Sequence, residues 1–167
     1  DDFSLMGVKP GFEIDLLALE TRWKQLQREV HPDKFATQGA AAQRVAMQWS
    51  VRVNEAYQRL KNPLQRAAYW CEQQGVKINA ENNTAMPTDF LMQQMAWREA
   101  LEEAVTEADL EQLQANTQQF RAQLLQSLQQ SIDADRNPSA AAQTVRGLMF
   151  VDKFVSEIHQ RLERLDA

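Results

Sequence analysis

Five prolines set the limits within which this chain can fold. Pro10, Pro32, Pro63, Pro87 and Pro138 are far apart, and a proline fits the first turn of a helix but not its interior. Between them run stretches rich in Gln, Ala, Leu and Glu, residues that lose little freedom on entering a helix. The expected fold is all-α, with the prolines at its joints.

Read along the chain, a short helix around Phe3–Met6 precedes a Pro10-Gly11 turn. Asp15 then stands as an N-cap, with Ile14 spaced to pack on Leu19 as a hydrophobic staple. Leu19, Trp23, Leu26 and Val30 recur with a 3.6-residue period and form one stripe over Leu16–Val30. His31, standing before Pro32, is pushed out of the α region and must end that helix. A second long helix is expected from about Ala41 to Lys61, with Val45, Trp49, Val53, Ala56, Tyr57 and Leu60 facing inward. Asn62-Pro63 opens a further helix reaching about Gln74.

The segment GVKINAENNTAMP reads as a linker. Three more helices follow: Thr88 or Asp89 to about Val105; a Thr106-capped helix to about Ile132; and one opened by Asn137-Pro138 that runs to the end. They are long enough to pack as a bundle, with Trp97, Leu101 and Leu110 as core positions. The expected organisation is therefore an N-terminal domain over 1–75, a linker over 76–87 and a three-helix bundle over 88–167.

The charge and the rare residues exclude several functions. Net charge is −5, divided as +1 over residues 1–75 and −6 over 76–167, which makes the chain a poor general binder of nucleic acid, whose phosphates call for a basic face. No apolar run approaches the roughly 20 residues that span a bilayer, so no membrane partner is expected. The opening DDFSLMGVKP has neither region of a signal peptide, and a cytoplasmic protein is expected. Cys71 stands alone, which excludes an internal disulfide and any multi-cysteine metal site. His31 and His159 are too distant to help, so no metal or cofactor is expected. Cys71 reads as a small packed residue, His159 as a surface histidine, and the four tryptophans as core residues. The chain is expected to be a monomer.

The residues that carry chemistry are His31-Pro32-Asp33-Lys34, between two amphipathic helices. Pro32 stiffens the loop, so His31 and Asp33 are presented at defined angles. Asp33 can form a charge-assisted pair with a partner's arginine, and Lys24 and Arg28, one turn apart, add positive charge nearby. An acid–base enzyme built on His31 and Asp33 would need a sheltered pocket, which adjacent residues around a proline do not make. A purely structural scaffold would leave the tripeptide unexplained.

Context gives the tripeptide its meaning. The segments DFSLMGV, QREVHPDKF, VNEAYQRL and NPLQRAAYW resemble a J domain in order and spacing. Further on, DFLMQQMAWREALEEA and VRGLMFVDKF are similar to the C-terminal domain of HscB-type J-domain co-chaperones of iron–sulfur cluster assembly. The resemblance implies that His31, Pro32 and Asp33, with Arg22, Lys24, Arg28 and Lys34, dock on a DnaK-class chaperone, HscA, and stimulate its ATPase. It also implies that Leu91, Met92, Met95, Glu99, Glu103 and Phe150 hold the scaffold protein IscU, with Leu91, Met92, Met95 and Phe150 forming an exposed apolar centre. Ala96 departs from the acidic residue expected there. The alternative is a J-domain co-chaperone whose acidic bundle binds a different client.

Overall fold

The structure, a computed structural model, describes residues 1–79 and 86–166. The described residues are helical, in the order α1 (Asp2–Leu5), α2 (Leu16–Val30), a 3-10 turn (Pro32–Phe35), α3 (Ala40–Lys61), α4 (Pro63–Gln73), α5 (Thr88–Glu103), α6 (Glu107–Gln129), a π turn (Gln130–Ala134) and α7 (Pro138–Asp166). Contacts divide the chain into two compact units, Asp1–Trp70 and Cys71–Ala167. That division falls inside α4. Part of the expected linker, residues 80–85, lies outside the described residues.

In the first unit, Asp15 caps α2 by accepting the amides of Leu17 and Ala18. Leu19 and Leu26 are buried on α2, and Val53, Ala56, Tyr57 and Leu60 on α3. Trp23 stacks on Tyr57 at 4.2 Å, and its indole N–H donates to Asn54. Asp2 is fully buried, and its carboxylate pairs with Arg52 and Arg59 of α3. Two positions correct the inward face expected of α3. Val45 and Trp49 are each about half exposed, at 52% and 50%, and Ala46 is buried instead. The buried face is centred on Ala46, Val53 and Leu60, which repeat every seven residues; Val45 and Trp49 fall on its flank.

Pro63 opens α4 as expected. Gly75, at φ 88°, ends it: the Gly75 amide donates to Glu72 and the Val76 amide to Cys71, a Schellman closure that needs the left-handed conformation glycine tolerates.

The second unit is built on α5, α6 and α7. Its core holds Phe90, Trp97, Leu101, Leu110, Leu113, Val151, Phe154 and Ile158, so the three predicted core positions are buried. Phe90 lies against Gly147 of α7, where an added Cβ would stand 3.2 Å from its ring. Helix α5 stops at Glu103, two residues before the expected end. Arg161 of α7 donates to the carbonyls of Leu101 and Ala104 and satisfies the helix terminus from outside, while the Val105 and Thr106 amides donate to Asp109 of the next helix. Thr106 caps α6 in a full capping box with Asp109. The α-helix then gives way at Gln130 to a π turn that reaches Ala134. Arg136, at φ 50°, reverses the chain, and the Asn137 side chain accepts from Ala140 at the start of α7.

Cys71 is buried, and burial pushes its thiol up to about 11, so it is an inert packed residue at neutral pH. His159 is exposed and hydrogen-bonds Gln114.

Candidate functional site

The His31-Pro32-Asp33 tripeptide sits where α2 ends and the 3-10 turn begins. His31 is extended, at φ −62° and ψ 129°, as its position before proline requires. Its Nδ1 accepts the backbone N–H of Asp33 at 3.2 Å, so in the neutral ring the proton resides on Nε2, the free nitrogen of an exposed side chain. The Asp33 side chain is 94% exposed and that of His31 60%. A pair this open to water cannot shelter a reaction, but it can meet a partner's donor.

The cationic residues divide into two groups. Lys24, Arg28 and His31 line one hollow together with Gln27 and Ser50. Lys24 is also paired with Glu20 at 3.4 Å. Lys34 is exposed on the 3-10 turn. Arg22 lies elsewhere, bonded to Gln25 and with its Nε 3.9 Å from where a Cβ on Gly7 would be. Beyond the tripeptide, Val30, Phe35, Val45 and Trp49 line an apolar groove. Sequence reasoning assigned Trp49 to the core and missed Gln27 and Ser50. Gln27 lies one helical turn before His31 on α2, a spacing readable in the sequence, whereas Ser50 on α3 is distant along the chain and reaches His31 only through the packing of α3 on α2.

The second set gathers on α5. Leu91, Met92 and Met95 are exposed at 45%, 62% and 71%, so they are not bundle core. Glu99 and Glu103 continue the same face and are exposed. Phe150 does not complete an exposed centre. It is half-buried and packed against the core, edge-on to Phe90 at 6.0 Å and stacked on Phe154 at 6.4 Å. Position 150 places it on the inner flank of α7, where the aromatic cluster draws it in.

Among the described residues no group of three or more His, Cys, Asp or Glu is arranged to hold a metal ion. No described helix is long and apolar enough to cross a membrane.

Residues 86–159 match a family described as the HSCB C-terminal oligomerisation domain. A co-chaperone protein HscB homolog of Bordetella petrii is 48% identical, over 95% of this chain and 94% of its own. The chain belongs to the HscB co-chaperone family. The HscB homolog of Burkholderia vietnamiensis is 42% identical, over 98% of this chain and 95% of its own. Among solved structures, chaperone HscB from Vibrio cholerae superposes with a TM-score of 0.84 at 33% identity, covering 99% of each chain. Human co-chaperone protein HscB gives 0.88 at 26% identity, over 96% of this chain and 81% of that one. The all-α architecture, with an N-terminal J domain and a C-terminal helical bundle, is that of the HscB structures. The relatives are named as co-chaperones, a role that is not itself catalytic.

Proposed function

We propose that this protein stimulates the ATPase of a DnaK-class chaperone, HscA, and delivers the iron–sulfur scaffold protein IscU to it in the cytoplasm. The observation that carries the reading is the Asp33 carboxylate, almost wholly exposed beside a hollow lined by Lys24, Arg28 and His31. Pro32 holds that carboxylate and the His31 ring in fixed relation, and Lys34 adds charge next to it. Arg22, apart from the hollow, takes a marginal place in this docking surface. The cargo surface is the α5 face: Leu91, Met92 and Met95 supply an apolar centre, and Glu99 and Glu103 supply an acidic rim for a partner with apolar and basic character. Phe150 backs this face from α7. Residues 1–75 act on the chaperone and residues 88–167 hold the scaffold.

The test is steady-state ATP turnover by HscA with this protein, with IscU, and with both. Strong stimulation only when both are present supports delivery. Stimulation that ignores IscU would point to a different client.

A second reading has one observation in its favour, the description of the matched family as an oligomerisation domain. On that reading the α5 face meets a second copy of the chain. Sedimentation across micromolar concentrations, alone and with IscU, separates the two: a monomer that gains mass only with IscU supports delivery.

A further inference from the structure

Leu91, Met95 and Arg98 stand at i, i+4 and i+7 on α5 and so share one stripe of the helix. The first two are exposed apolar residues; the third turns toward α7. Both terminal nitrogens of Arg98 engage Glu157, one carboxylate oxygen each, in a bidentate pair. The guanidinium also lies 5.9 Å from the Phe150 ring centre and 5.3 Å from that of Phe154, within range of a cation–π contact. The two rings are nearly parallel, at 13°. The Arg98 side chain is 42% exposed and that of Glu157 31%, so the clamp sits at the surface, along the edge of the apolar stripe.

We propose that Arg98 is a positioning residue for cargo docking: clamped to Glu157, it fixes the half-buried Phe150 ring of α7 behind the α5 face, so that α7 supports the surface that Leu91 and Met95 present. This rests on the reading of the α5 face as the scaffold-binding surface. Without the guanidinium, Phe150 keeps its contacts to Phe90 and Phe154 but loses the group that fixes its outer face. A lysine can keep the charge and one contact to Glu157, but not the planar fork or the stacked geometry.

The experiment uses the full chain with 4-fluorophenylalanine at position 150. Fluorine NMR of the free protein reports the ring's environment without any partner, and calorimetry reports IscU binding. Arg98→Met should shift and broaden the fluorine resonance and weaken IscU binding about tenfold, with the bundle still folding cooperatively. Arg98→Lys should fall between it and the parent in both readouts. Should Arg98→Met fail to fold, Arg98→Lys and Glu157→Gln supply the same comparison. An unmoved resonance overturns the positioning role whatever happens to binding. A moved resonance with unchanged binding overturns its importance for docking. The parent reading fails separately, if Leu91→Ala with Met92→Ala leaves IscU affinity intact.

Discussion

The imidazole of His31 is tied to the backbone of Asp33 across the intervening proline, Nδ1 to N–H at 3.2 Å. The bond consumes one ring nitrogen and leaves the other for a partner. The Asp33 carboxylate stands 3.6 Å from that same Nδ1, and its side chain is 94% exposed. Asp33→Asn should therefore abolish ATPase stimulation while changing folding stability by less than about 0.5 kcal/mol. A thermal melt together with chaperone ATP turnover checks both halves. Full stimulation by the folded variant would remove this loop from the docking surface.

The hollow of Lys24, Arg28 and His31 gives an electrostatic expectation. Stimulation at sub-saturating concentration should fall as salt rises, because the Debye length shrinks from about 10 Å at 0.1 M to about 3 Å at 1 M. Reversing Lys24 and Arg28 to Glu should cost more at low salt than at high salt, mainly through the association rate. Equal losses at both salts would mean that these side chains act by packing. Arg22→Glu, outside the hollow, should have the smaller effect.

Exposure separates two kinds of substitution on the cargo surface. Leu91→Ala with Met92→Ala removes surface groups, so the melting curve should stay near that of the parent, within about 0.5 kcal/mol per site. IscU binding should weaken by roughly 30-fold, the effect of losing one anchor worth about 2 kcal/mol. Phe150→Ala should behave differently, destabilising the bundle by about 2 kcal/mol because the ring packs on Phe90 and Phe154. Calorimetric binding and circular dichroism of both variants make the comparison. A strongly destabilised Leu91/Met92 pair would return those residues to the core.

The capping box at the start of α6 predicts a pH dependence. The amides of Thr106 and Val105 donate to Asp109 and hold its carboxyl below the ordinary carboxylate range. A folded pKa lowered in this way gives stability that is present above the unfolded value of about 3.9 and lost as pH falls through the folded one. Asp109→Asn should thus melt below the parent at pH 7, and the two should converge only as pH falls through the lowered folded value. A gap that persists in strong acid would show that the box acts through shape alone.

Local chemistry was the legible part of this chain. Asp15, Thr106 and Asn137 were readable as caps because a cap needs only one side chain and a few following amides. Partners drawn from across the bundle were not readable: nothing near Glu103 announces that Arg161, some 60 residues on, supplies donors to the last carbonyls of α5. The π turn after Gln129 has no proline or glycine to mark it, and Arg136 carries the left-handed conformation in place of a glycine. Val45 and Trp49 show the limit of periodicity. A repeat of apolar residues identifies a stripe, but the packing partner decides where its centre lies, and here the centre moved to Ala46. The tripeptide was found because it is contiguous, whereas Ser50 on α3 needed the fold to reach it.

The half-exposed indole of Trp49 has an optical consequence. Trp70 and Trp97 are 2% and 5% exposed, and Trp23 is stacked on Tyr57. Long-wavelength, acrylamide-quenchable emission of this chain should therefore come chiefly from Trp49, in the groove it shares with Phe35 and Val30. The protein carries its own fluorophore a short way from His31, and a partner that settles over that groove would turn the light blue and protect it from quenching, with no label attached.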